Sequence, residues 1–156
     1  GKIVAVKING KYWMYWGDTK IWAATSDDLI NWTPEVNTVF GPRAEKFDND
    51  LVEPGPAAMM TDKGILLIYN SRNATWPEIP AGTYAAGQIL MDKNDPMKVI
   101  SRSEEYFIKP DKDYEMTGQV NNVCFLEGLV HYKGKWFLYY GTADSKIAAA
   151  VKDDKQ

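Results

Sequence analysis

The segment Gly134-Lys135-Trp136-Phe137-Leu138-Tyr139-Tyr140-Gly141 decides the fold class, because it joins a glycine turn to a strand of aromatic and aliphatic residues. The same pattern recurs in two earlier segments, Gly10-Lys11-Tyr12-Trp13-Met14-Tyr15-Trp16-Gly17 and Gly64-Ile65-Leu66-Leu67-Ile68-Tyr69-Asn70-Ser71. In each copy a tyrosine stands five residues after the first glycine, so Tyr15, Tyr69 and Tyr139 are predicted to occupy equivalent positions. A second strand-like run follows each copy, at residues 21–25, 84–91 and 147–151.

Two strands joined by a turn and repeated along the chain are typical of the blades of a β-propeller. The pattern alone leaves a plain antiparallel sandwich of hairpins as the alternative. Helix signals are weak throughout, because prolines interrupt the middle of the chain at Pro34, Pro42, Pro54 and Pro56. The sequence therefore predicts an all-β fold with about three blades. Three blades would leave open edges, so we expect further blades or a second copy of the chain to cover them.

Composition narrows the classes of function. The 156 residues carry a formal net charge of −3, and their Lys and Arg residues are scattered singly, so we expect no contact with nucleic acid. No apolar run approaches the roughly 20 residues of a membrane span, so we expect a soluble protein, either periplasmic or cytoplasmic. The single Cys124 and single His131 exclude an internal disulfide and a Cys/His metal centre. We therefore expect no metal or cofactor, and catalysis would depend on carboxylates, tyrosines or backbone groups.

Several segments resemble glycoside hydrolase family 130, the β-mannoside phosphorylases and β-mannosidases. They include residues 21–32 with their Ser-Asp-Asp-Leu turn, residues 91–102, and residues 139–147, which are similar to the family's terminal blade motif. The resemblance implies a five-bladed propeller with a sugar site at the mouth of its central channel. It makes residues 1–156 the C-terminal part of one such domain, and it implies that the general acid, an Asp, belongs to blades N-terminal to this sequence.

Two carboxylates stand where the resemblance implies different residues in phosphorylases. Inverting cleavage of a glycosidic bond needs an acid for the leaving oxygen and a nucleophile on the opposite face of the sugar. In residues 47–56, Leu51 stands at the position of a phosphate-binding Lys and Glu53 at that of a Gly, and in residues 125–128 Glu127 replaces a small residue. A lost cation and two added carboxylates oppose phosphate binding. We therefore expect an inverting β-mannoside hydrolase in which Glu53 and Glu127 approach each other and at least one activates water.

Six further residues are candidates for contacts with the sugar: Asp18, Arg72, Trp76, Tyr84, Phe125 and Asp144. The resemblance implies that Asp144 binds hydroxyls in the −1 subsite, and Asp18 occupies the corresponding turn of the first repeat; either could instead be a turn-forming Asp. Arg72 is the residue that could replace the missing Lys. The aromatic side chains are candidates for stacking on the sugar, and Trp76 lies in a Pro-rich loop suited to aglycone contacts.

Two other functions remain open from the sequence. A β-mannoside phosphorylase would use inorganic phosphate as its second substrate and release mannose 1-phosphate. A non-catalytic remnant would bind carbohydrate without cleaving it. In every case the expected partner is a mannose-containing oligosaccharide, and only the phosphorylase requires phosphate.

Overall fold

The computed structural model describes residues 2–154, and its strands form three antiparallel sheets that follow one another along the chain. Sheet 1 contains β1 (Lys2–Ile3), β2 (Tyr12–Trp16), β3 (Ile21–Ser26) and β4 (Thr33–Phe40). Sheet 2 contains β5 (Leu51–Pro54), β6 (Met59–Thr61), β7 (Gly64–Arg72), β8 (Tyr84–Met91) and β9 (Val99–Arg102). A short helix α1 (Asp113–Met116) precedes sheet 3, which contains β10 (Cys124–Tyr132), β11 (Lys135–Thr142) and β12 (Lys146–Asp153).

Each sheet is a meander in which consecutive strands pair. Sheet 1 has the order β1-β2-β3-β4 and sheet 3 the order β10-β11-β12, while in sheet 2 both β5 and β6 pair with β7, followed by β8 and β9. Tight turns make this order possible. Asn9-Gly10 and Lys133-Gly134 both have two successive residues with positive φ, which is the two-residue turn that matches the twist of a hairpin.

Relative to its glycine, the turn of the second repeat lies one residue earlier than the turns of the other two repeats. Before β2 and β11 the glycine is the second turn residue, whereas before β7 the turn is Asp62-Lys63 and Gly64 is already paired with Thr61. A shift of one residue moves a side chain to the opposite face of a strand. The position equivalent to Tyr15 and Tyr139 is therefore Ile68.

The predicted equivalence of the three tyrosines is thus wrong for Tyr69. Tyr15 and Ile68 each face the following sheet along the chain, whereas Tyr69 packs in the cluster between sheets 1 and 2. Alignment of the repeats on their glycines gives the wrong equivalence because Gly64 is not a turn residue. Gly64 has a φ of 144° at the start of its strand, so a glycine is favoured there for a reason unrelated to the turn.

Two apolar clusters hold the sheets together. The first lies between sheets 1 and 2 and includes the fully buried Tyr15, Ile21, Leu67 and Tyr69. The second lies between sheets 2 and 3 and includes Ile68, Ala86, Leu126, Leu138 and Tyr140. Each large aliphatic side chain stabilises such a core by about 1.5–3 kcal/mol relative to exposure. The three sheets are therefore layered one on the next, in a different arrangement from the two facing sheets of a sandwich.

The first strands of the three sheets converge. Sheets 1 and 3 are separated by sheet 2, yet the Lys2 ammonium on β1 lies 2.9 Å from the Glu127 carboxylate on β10. Sheets that pack face to face while their first strands meet are arranged around a common axis, as propeller blades are. The all-β prediction is confirmed, and the arrangement is consistent with a propeller; the total of five blades stays a prediction. No helix within residues 2–154 is long and apolar enough to cross a membrane.

Candidate functional site

A cleft of about 220 Å³ lies where the three sheets converge. It is lined by Lys2, Gly17, Glu53, Pro54, Phe125 and Glu127. A larger groove of about 710 Å³ runs between sheets 2 and 3, but its walls are mainly apolar side chains such as Leu66, Ile68 and Trp136. Because the chemistry expected here needs carboxylates, the smaller cleft is the candidate site.

Glu53 is half-buried on the wall of this cleft. It lies on β5 directly opposite Asn70 of β7. Burial raises the pKa of the Glu53 carboxyl above its ordinary value, and the nearby charges of Asp18 and Glu127 raise it further. The structure thus brings the two glutamates predicted from the sequence, together with Asp18, into one acidic site.

Glu127 is positioned by an irregularity in β10. Leu126 pairs with Tyr140 and Gly128 pairs with Tyr139, so Glu127 is the extra residue of a β-bulge. The buried Asn70 amide holds the residue before it: its Nδ2 donates to the Leu126 carbonyl at 2.9 Å, and its Oδ1 accepts from the Leu126 N–H at 2.7 Å. The bulge therefore turns the Glu127 side chain into the cleft, and Asn70 fixes sheet 3 against sheet 2 at that point.

Asp18 is placed by the turn between β2 and β3. Gly17 lines the cleft with a φ of 135°, and a Cβ at this position would collide with the Lys20 carbonyl, so only glycine fits. The turn exposes Asp18 beside Glu53, whose pKa it raises. The only hydrogen bond to the Asp18 carboxylate within residues 2–154 is a long one of 3.4 Å from the Thr19 hydroxyl, which leaves most of its acceptor capacity available.

A second cleft of about 210 Å³ adjoins the first and shares Phe125 with it. Its other lining residues are Tyr84, Val120, Val123 and Asp144. The rings of Tyr84 and Phe125 lie 6.0 Å apart in a tilted pair, and they form an aromatic edge between the two clefts. Aromatic rings next to carboxylates are the combination that binds sugars, because the apolar ring face and the hydroxyls need different partners.

Asp144 projects from the turn between β11 and β12. Ala143 and Asp144 have φ values of 46° and 51°, a left-handed conformation that Asp tolerates better than most residues. Within residues 2–154 the Asp144 carboxylate accepts no hydrogen bond, so its side chain does not cap its own turn. Its place in the second cleft is compatible with sugar binding, and that role stays a prediction.

Tyr84 lines the second cleft and lies near charged groups of both clefts. Burial raises the pKa of its phenol; Glu53, Asp50 and Asp144 add to that rise, whereas Arg72 opposes it. Arg72 lies 2.8 Å from Asp50 in an ion pair. Its charge is therefore already balanced by a carboxylate of this chain.

Trp76 lies apart from the two clefts. Its indole packs against the apolar cluster between sheets 1 and 2, with its centroid 6.2 Å from that of Tyr106. The loop around it is held by Asn73, which is fully buried and donates to the carbonyl groups of Trp76 and Ile79. The aglycone contact expected of Trp76 stays a prediction, and its position in the structure is one of packing.

Two residues near the site went unnoticed in the sequence. No sequence pattern identifies Lys2 as a site residue, because its partner Glu127 lies 125 residues away along the chain. Asn70 did have a signal, because it is a polar residue inside the apolar strand β7, and buried polar residues are usually hydrogen-bonded. Asp48 gives no such signal, because it stands in the polar run Asp48-Asn49-Asp50. In the structure it is fully buried and accepts hydrogen bonds from Arg43, Arg102 and Tyr69. The cluster that it forms joins sheets 1 and 2 outside the clefts.

Within residues 2–154, no group of three or more His, Cys, Asp or Glu side chains is arranged to hold a metal ion. The chemistry that the described residues offer is that of carboxylates, one ammonium and aromatic rings. Such a set can accept hydrogen bonds from hydroxyl groups and take a proton from water.

Sheets layered around a common axis, with carboxylates and aromatic rings gathered where their first strands meet, are consistent with a propeller-type protein whose candidate site lies near that axis. A family model described as beta-1,4-mannooligosaccharide phosphorylase matches residues 1–155. The chain belongs to glycoside hydrolase family 130.

Relatives agree with this membership. A 1,2-beta-oligomannan phosphorylase of Thermoanaerobacter sp. (strain X514) is 33% identical over 150 residues, which are 96% of this chain and 48% of that protein. A solved glycosyl hydrolase from Bacteroides ovatus is 46% identical with a TM-score of 0.96, and the match covers 99% of this chain and 48% of that one. The chain thus spans about half the length of these relatives.

A third relative bears on the type of reaction. This solved structure is described as "The GH130 family of mannoside phosphorylases contains glycoside hydrolases that target beta-1,2 mannosidic linkages in Candida mannan". It is 45% identical with a TM-score of 0.96, and the match covers 99% of this chain and 48% of that one.

Proposed function

We propose that the protein containing this chain cleaves β-mannosidic bonds in a mannose-containing oligosaccharide, with water as the attacking group. The observation that carries this proposal is the acidic cleft, in which the half-buried Glu53 lies beside Asp18 and Glu127. Phosphate, an anion, would meet repulsion from all three carboxylates. The cation of the cleft, Lys2, is already paired with Glu127.

In the proposed reaction Glu53 is the base. The water oxygen attacks the anomeric carbon, and its proton passes to the Glu53 carboxylate. The bond to the leaving oxygen breaks on the opposite face, and that oxygen takes a proton from an acid expected outside residues 1–156. A raised pKa strengthens Glu53 as a base. Asp144 would bind sugar hydroxyls, and Tyr84 and Phe125 would contact the ring.

Phosphorolysis is the second candidate, and the curated relatives favour it over hydrolysis. They are named as phosphorylases of β-1,2- or β-1,4-linked mannosides. The solved structures at 45–46% identity instead include ones described as hydrolases. In this chain phosphate would have to displace Glu127 from Lys2, because Arg72 is paired with Asp50.

Product analysis on the intact protein separates these reactions. We expect β-1,2- or β-1,4-mannobiose to release free mannose at a rate that does not depend on inorganic phosphate. Glu53→Gln keeps the shape and removes the basicity, so it should lower this rate about 10²- to 10⁴-fold. Glu104→Gln, which alters an exposed carboxylate paired with Lys46, is the matched control and should not change it. Phosphate-dependent release of mannose 1-phosphate would establish the phosphorylase instead.

A further inference from the structure

The two glutamates of the cleft are not in equivalent surroundings. Glu53 is half-buried and has Asp18 and Glu127 as charged neighbours. Glu127 is more exposed, and its Oε2 accepts a hydrogen bond of 2.9 Å from the Lys2 ammonium. The sequence gives no reason to rank one glutamate above the other, whereas their surroundings in the structure distinguish them.

We propose that Lys2 is a positioning residue of this site, which holds Glu127 by an ion pair across the converging strands so that Glu53 alone serves as the base. The inference rests on the proposed hydrolysis and adds a division of roles to it. Lys2 acts through Glu127 and is assigned no contact with the sugar.

Geometry separates this ion pair from an ordinary surface pair. The Lys2 side chain is 25% exposed and the Glu127 side chain 56%, and the pair joins β1 of sheet 1 to β10 of sheet 3. The pair between Lys135 and Asp153, by comparison, joins neighbouring strands of one sheet, and its side chains are 51% and 76% exposed. A pair that links separate sheets in a cleft is screened less by solvent and constrains more of the fold.

The bulge in β10 explains why Glu127 benefits from an anchor. Glu127 is the residue left unpaired in the ladder, so the sheet itself fixes its backbone less strictly than that of a paired residue. The Asn70 amide holds Leu126 on one side, and the Lys2 ammonium holds the Glu127 carboxylate. Together these contacts fix both the backbone and the charged end of the residue.

The ion pair with Lys2 also balances the charge of Glu127 beside Glu53. The groups that face Glu53 are Asp18 from the turn after β2, Glu127 from β10 and the Tyr84 phenol from β8. Beyond Tyr84 lie Asp144 and the mutually paired Arg72 and Asp50; Lys2 is the cation that lines the cleft. Removing the Lys2 charge would leave Glu127 unbalanced beside Glu53, and like charges favour protonation of a carboxylate.

The pH dependence of hydrolysis tests this inference. In the intact protein, Lys2→Met should move the acidic limb of kcat/KM for mannobiose hydrolysis upward by about 0.5–1 pH unit, because Glu53 then stays protonated to higher pH. Lys2→Arg keeps the charge and should lie close to wild type. The double variant Lys2→Met/Glu127→Gln removes both charges, so its acidic limb should return toward that of wild type. Lys135→Met is the matched control and should leave the limb in place.

Each outcome decides the matter. Thermal melting identifies a Lys2→Met variant that has lost its fold, in which case the polar, uncharged Lys2→Gln replaces it. The inference fails if the acidic limb of kcat/KM does not move in a folded Lys2→Met variant, or if the double variant does not restore it. The contact between Lys2 and Glu127 would then be an ordinary surface ion pair. A rise in KM for phosphate in Lys2→Met would make Lys2 a phosphate ligand and overturn the inference. Full activity of Glu53→Gln would contradict the proposed function itself, whatever Lys2 does.

Discussion

Asp144 illustrates how a single residue can combine an unusual backbone with an available side chain. Its left-handed φ of 51° is tolerated by Asp and Asn, and its carboxylate makes no hydrogen bond within residues 2–154. A conformation of this kind costs free energy, and such residues are concentrated at functional sites. We therefore expect this carboxylate to bind a ligand in the adjacent aromatic cleft.

Replacement of Asp144 by Asn tests that explanation. Asn also tolerates a left-handed φ, so the turn should persist and the melting temperature should change by no more than about 2 °C. Loss of charged hydrogen bonds to sugar hydroxyls should lower kcat/KM of the intact protein about 10²-fold or more. Calorimetric titration with mannobiose then reports the affinity directly. Unchanged affinity in Asp144→Asn would leave Asp144 with a role in the turn alone.

Individual residues also show where sequence reasoning ends. Glu53 and Glu127 were singled out because each departs from a family pattern, and the structure places both in one cleft. Lys2 was missed because an ion pair between residues far apart in the chain depends on how whole sheets pack, which local patterns do not encode. Trp76 lies in a Pro-rich loop, and its indole packs partly buried against the core, so its contact with an aglycone stays a prediction.

At the scale of elements, the sequence pattern predicts where the strands lie but not which face of a strand each residue occupies. The run at residues 84–91 coincides with β8, and residues 21–25 and 147–151 fall within β3 and β12. The alignment of the repeats on their glycines nevertheless placed Tyr69 on the wrong face, because the turn before β7 differs by one residue. Alternation of side chains identifies a strand, but the face that each residue occupies depends on turn geometry.

The contact between β7 and β10 gives a test at this scale. Asn70→Ala removes two buried hydrogen bonds to Leu126, so it should lower the free energy of unfolding by about 1–3 kcal/mol. Ser71→Ala removes one buried hydrogen bond to Ala85 within sheet 2 and is the matched control. Both variants should melt at lower temperature, but only Asn70→Ala should also lower kcat, because only that change loosens the bulge at Glu127. If kcat is equal in the two variants, Asn70 contributes to stability and does not position Glu127.

At the scale of the whole molecule, sheet 3 presents an apolar face with no sheet against it among the described residues. The side chains on that face include Val130, Tyr139 and Ile147, which are 42–83% exposed. Contiguous exposed apolar surface marks an interface in a protein of this kind. Since the chain spans about half the length of its relatives, we expect a further blade of the intact protein to cover this face.

Substitution by lysine distinguishes a covered face from an exposed one. If a blade packs on sheet 3, Ile147→Lys would bury an unpaired charge and lower the free energy of unfolding of the intact protein by about 3 kcal/mol or more. Val36→Lys on β4, at a side chain 94% exposed, is the control and should cost less than about 0.5 kcal/mol. Light scattering identifies what covers the face: a monomer destabilised by Ile147→Lys has a further blade, whereas an oligomer that dissociates has a second copy. Equal stability of the two variants would mean that the face is exposed to solvent in the intact protein, and the expectation of a closed propeller would then fail.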